Sequence, residues 1–85
     1  MDLDHWRECI DVVDKELVDL LNRRMEFAVE IGRIKKAEGL SVRDPAREEA
    51  VLEKLKEHNK GPFSDHGIEE IFSRIMQEAR DLEDS

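Results

Sequence analysis

From about Leu3 to about Lys36 the chain has no proline, and Gly32 is its only glycine. Apolar residues recur there with heptad spacing: Leu3, Ile10, Leu17 and Ile31 in one slot, Trp6, Val13, Leu20, Phe27 and Ile34 in the other. A continuous helix of that length spans roughly 50 Å at 1.5 Å per residue. An 85-residue chain makes no globule so wide, so the helix must project and find a partner. Such a helix belongs to a coiled coil or an intertwined oligomer, and a dimer is the most economical solution.

Punctuation in the rest of the chain predicts two shorter helices. Ala37 to Arg43 reads as a loop, with Gly39 just past the first helix. Asp44 suits an N-cap and Pro45 the first helical position. The helix they open carries Leu52 and Leu55 inward and stops near Lys60-Gly61-Pro62. A third helix starts around Ser64-Asp65, with Ile68, Ile71, Phe72, Ile75, Met76, Ala79 and Leu82 as its apolar stripe. Period-two alternation is absent, so no strands are expected. The predicted fold is all-α: one domain over residues 1–85, a three-helix chain with one long N-terminal helix, paired as an intertwined six-helix homodimer.

Charge and cysteine content exclude several function classes. With 14 Lys+Arg against 22 Asp+Glu, the net charge of −8 repels phosphate backbones, so nucleic acid is not an expected partner. One cysteine, Cys9, allows neither an intrachain disulfide framework nor a cysteine-based zinc site. No apolar run approaches the roughly 20 residues of a membrane span, and Met1-Asp2-Leu3-Asp4 lacks the features of a secretion signal. The expectation is a cytoplasmic domain with no membrane association.

The informative residues are charges at positions where a bundle is normally apolar. Arg24 fills the heptad slot of Leu3, Ile10, Leu17 and Ile31. A cation there either sets register against an acid on another helix or binds an anion. Lys35, three turns on, faces nearly the same way, either as an ordinary solvated lysine or as the second arm of a clamp for a small dianion. Arg7 lies some 25 Å along the helix from Arg24. It reaches a shared site only from a second chain, which would give two equivalent composite sites. Glu48 falls on the inward face of the second helix, where helix-dipole stabilisation is the simpler alternative. Glu83 lies at the edge of the third helix's stripe, and a frayed terminal carboxylate explains it equally well. His5, His58 and His66 lack ligand spacing, and there is no phosphate loop, nucleophile elbow or paired cysteine. The pattern points to a site of cations and hydrogen-bond donors, with no metal or cofactor.

Arg7, Asp14, Arg24, Lys35, the stretch Val42-Arg43-Asp44-Pro45-Ala46-Arg47-Glu48, and Phe72 together resemble the all-helical chorismate mutases over essentially the whole chain. Asn59-Lys60-Gly61-Pro62-Phe63 further resembles the version fused to, or encoded beside, deoxy-arabino-heptulosonate phosphate synthase, which makes that aldolase an expected partner. The resemblance implies an intertwined homodimer with shared sites and a cofactor-free Claisen rearrangement of chorismate to prephenate, on the way to phenylalanine and tyrosine. It implies that Arg24, Lys35 and Glu83 are catalytic, and that Arg7, Arg43, Asp44, Arg47, Glu48 and Ala79 join them in binding substrate. In that scheme Arg7 of the second chain, Arg24 and Arg47 meet the carboxylates, Lys35 donates to the ether oxygen, and Glu48 accepts the substrate hydroxyl. The sequence departs from the family pattern twice, with Glu83 where many relatives carry Gln and Ala79 where some carry Ser. An ionised Glu83 would repel charge growing on the ether oxygen, so the expectation is a carboxyl kept neutral by desolvation.

Two rivals remain at this level: an isochorismate-pyruvate lyase, also pericyclic on a dicarboxylate, and a non-catalytic domain sensing chorismate or prephenate for a partner aldolase. Plain helical scaffolding would make Arg24, Lys35, Arg47 and Glu48 coincidental.

Overall fold

The computed structural model describes residues 2–85 and consists of three helices: α1 (Leu3–Glu38), α2 (Pro45–His58) and α3 (Asp65–Glu83). No strand occurs among the described residues. Each helix begins on the cap its sequence offers. Asp2 accepts from His5 N, Asp44 from Arg47 N with Pro45 opening the first turn, and Ser64 from Gly67 N. α1 runs two residues past Lys36, because Gly39, at φ 69°, closes it with a left-handed cap whose N–H reaches Lys35 O and Lys36 O.

α1 extends as a single rod of 36 residues, and the molecule measures 55 × 23 × 15 Å. α3 packs on both α1 and α2. Contact with α1 runs along small residues: Ala28 and Gly32 are buried, opposite the buried Met76 and Ala79. At Gly32 the absent side chain lets the backbone of Glu83 approach so closely that a Cβ would lie 2.7 Å from Glu83 Cα. α2 is tied to α3 by Lys56, whose Nζ lies 3.1 Å from Glu69 Oε2. That bond to Glu69 holds the Lys56 ammonium above its ordinary range.

Most of the heptad seam stays outside this packing. Leu3, Trp6, Ile10, Val13, Leu17, Leu20, Phe27 and Ile34 are each half or more exposed. The long helix thus uses two faces: a narrow one of small residues toward α3, and a wide apolar one left open along its length. No helix among the described residues is long and apolar enough to cross a membrane.

Candidate functional site

A cleft of about 440 Å³ opens where α1, the 39–44 loop, α2 and the end of α3 converge. That volume lies in the range of small-molecule sites. Arg24, Phe27, Ile31 and Lys35 come from α1, Val42 and Asp44 from the loop, Arg47, Glu48 and Val51 from α2, and Met76, Ala79, Arg80 and Glu83 from α3. Four cations and three carboxylates therefore share one small space.

Three contacts organise these charges. Lys35 Nζ donates to Val42 O at 2.8 Å, which draws the loop down against α1. The same ammonium lies 2.8 Å from Glu83 Oε1, and these side chains are only 19% and 9% exposed. The approach is close but poorly directed, for Glu83 Oε1 is buried with no hydrogen bond among the described residues. Across the cleft, Arg80 NH1 donates to Glu48 Oε2 at 2.6 Å, joining α3 to α2.

Asp44 uses one carboxylate oxygen to cap α2. Among the described residues, the guanidinium groups of Arg24 and Arg47 have no carboxylate within ion-pairing distance. The N-terminus of α2 adds its partial positive charge at Arg47 and Glu48. Two unpaired planar guanidinium forks in a partly desolvated cleft are suited to holding two carboxylates of one ligand. Among the described residues no cluster of three or more candidate metal-ligating side chains occurs.

Seven residues singled out in the sequence thus meet in the cleft: Arg24, Lys35, Asp44, Arg47, Glu48, Ala79 and Glu83. Two do not. Arg7 sits near the far end of α1, well exposed, with NH1 3.9 Å from Asp4 Oδ1. Arg43 is also exposed and lies outside the cleft lining, with Nε 3.7 Å from Glu48 Oε1. Arg80 is the cleft cation that sequence reasoning missed. It follows Met76 by four residues and precedes Glu83 by three, so helical spacing alone sets it on the face of α3 that lines the cleft.

Comparison with known proteins gives the family and the fold. A family model described as chorismate mutase type II matches residues 6–84. The solved structure of chorismate mutase (form II) from Thermus thermophilus superposes with a TM-score of 0.94 at 38% identity, covering 96% of this chain and 93% of that one. Chorismate mutase from Helicobacter pylori, solved in complex with prephenate, gives a TM-score of 0.88 at 27% identity over 96% of this chain and 89% of that one. The bifunctional chorismate mutase/prephenate dehydratase of Neisseria gonorrhoeae is 38% identical over 77 residues, covering 91% of this chain and 21% of the relative. The T-protein of Enterobacter agglomerans is 38% identical over 74 residues, covering 86% of this chain and 20% of the relative. The chain therefore spans about a fifth of the length of these two curated relatives. Matched from residue 6 to residue 84, and sharing both fold and sequence with a solved mutase over nearly its whole length, the chain belongs to the chorismate mutase type II family.

Proposed function

We propose that this chain converts chorismate to prephenate, as an intertwined homodimer, in phenylalanine and tyrosine biosynthesis. The observation that carries the reading is the pair of unpaired guanidinium groups, Arg24 and Arg47, in a cleft that also holds Lys35. A Claisen rearrangement is concerted and needs no nucleophile. What the protein must supply is orientation of the substrate and stabilisation of the charge that grows on the breaking ether oxygen. Arg24 and Arg47 bind the substrate carboxylates and hold the folded, reactive conformer. Lys35 donates to the ether oxygen, its ammonium steadied by Val42 O. A single donor of this kind is worth about 10²- to 10³-fold in kcat.

Glu83 acts on the same oxygen as a neutral carboxyl, because an ionised one would repel the developing charge. Glu48 accepts the substrate hydroxyl, helped by the backbone around Asp44. Ala79 leaves room where a serine would make one more contact.

Dimerisation completes the site in this reading. The exposed seam of α1 needs a cover, and a second copy running alongside brings its own Arg7 to the far end of the cleft. Association with deoxy-arabino-heptulosonate phosphate synthase is the further expectation from Asn59–Phe63. That segment forms a compact turn in which Asn59 Nδ2 donates to Phe63 O at 2.7 Å and to Asp65 Oδ1 at 3.0 Å. Co-purification with the aldolase tests it, and recovery of the mutase alone refutes it.

The direct test of the reaction is chorismate consumption, followed by its ultraviolet absorbance, beside an Arg24→Ala variant. Rapid loss with prephenate as product, abolished in the variant, is the expected result. Chorismate binding without turnover would instead indicate a sensing domain, and pyruvate release from isochorismate a lyase.

A further inference from the structure

The Arg80–Glu48 pair differs from the other short Arg–carboxylate contacts. Arg74–Glu78 and Arg33–Glu30 each link one helix turn to the next, with both partners at least half exposed. Such pairs are screened and hold nothing in position. Arg80 and Glu48 come from different helices, are 32 residues apart, and are only 23% and 20% exposed. Both line the cleft.

We infer that Arg80 is a positioning residue for Glu48, fixing the carboxylate that receives the substrate hydroxyl and cancelling its charge. The inference rests on the mutase reading and extends it to a residue that reading does not use. A carboxylate with one oxygen held at 2.6 Å by a guanidinium has little freedom to rotate, so its other oxygen points in a set direction. Among the described residues, the one cation within ion-pairing distance of that second oxygen is the exposed Arg43, at 3.7 Å, and the oxygen accepts no hydrogen bond, so it remains available to a hydroxyl donor. Charge gives a second reason. A dicarboxylate entering the cleft meets Asp44 and Glu48, and an uncompensated Glu48 would repel it. Arg80 answers Glu48, which leaves Arg24 and Arg47 for the ligand.

Because the hydroxyl contact orients the substrate and does not receive the charge that grows on the ether oxygen, the effect is expected in KM more than in kcat. Arg80→Leu is expected to raise KM for chorismate about 10- to 100-fold, as for loss of a hydrogen bond to a charged group, with kcat nearly unchanged. Arg80→Lys should recover part of the loss. In a Glu48→Gln background Arg80→Leu should add little, since a neutral amide needs no counter-charge. Thermal melts of all four proteins separate these effects from misfolding. A KM penalty of the same size in both backgrounds, or a loss confined to kcat, overturns the role given to Arg80 while leaving the mutase standing. A wild-type protein that neither binds nor converts chorismate refutes the mutase reading, and the role of Arg80 falls with it.

Discussion

Gly32→Ala, a change of one methyl group that adds no charge, is predicted to cost more activity than stability. A Cβ at this position meets Glu83 Cα at 2.7 Å, Glu83 O at 3.0 Å and Glu83 Cβ at 3.1 Å, all inside the 3.4 Å at which ordinary contact begins. Two of these atoms belong to the backbone and cannot turn aside. The last turn of α3 must therefore retreat by roughly 0.7 Å, an overpacking that costs about 1–3 kcal/mol. Alanine returns about 1 kcal/mol through its better helix propensity, so the net destabilisation is at most about 2 kcal/mol. The same retreat carries Glu83 away from Lys35, whose Nζ lies 2.8 Å from Glu83 Oε1. Misplacement of a reacting group by about 1 Å costs on the order of 10²-fold. The expected result is a 10- to 100-fold fall in kcat for chorismate, with helicity by circular dichroism unchanged and a modest drop in Tm. Gly39→Ala serves as the control. It meets no atom within 4 Å but has φ +69°, so it should lower Tm with kcat intact. A Gly32→Ala protein with raised Tm and unchanged kcat would refute the reasoning, since it would show that α3 does not seat on α1 at this point.

Two other perturbations test separate parts of the account. Leu20→Asp sets a charge in the middle of the exposed α1 seam and is expected to yield a monomer by size exclusion at micromolar concentration; a persistent dimer would mean that another surface pairs the chains. If Glu83 donates a hydrogen bond to the ether oxygen, Glu83→Ala is expected to lose about 10²- to 10³-fold in kcat while Glu83→Gln, whose amide also donates, keeps it; an equal loss in both variants overturns that role.

Local signals made most of the fold legible in the sequence. Asp44-Pro45, Ser64 and Gly39 act within a few residues of themselves, so the caps and breaks can be read without knowing the tertiary arrangement. Spacing along one helix likewise put Arg24 and Lys35 on a common face, and both line the cleft. What escaped depends on how the helices lie against one another. The heptad of large residues marks α1's open face, while the contact with α3 is made by Ala28 and Gly32, whose small size permits close approach and gives no hydropathy signal. Arg80 met Glu48 only once α2 and α3 were set side by side, and nothing in either segment alone names the other.

The most direct measurement is complementation between two inactive proteins, Arg7→Ala and Arg24→Ala. If each site takes Arg24 from one chain and Arg7 from the other, a mixed dimer contains one site with both arginines and one with neither. Co-refolding equal amounts of the two variants should then restore about a quarter of wild-type chorismate mutase activity, since half the dimers are mixed and each has one working site of two. A mixture as inactive as its components would contradict the account, because it would show that the two arginines do not meet across a shared site.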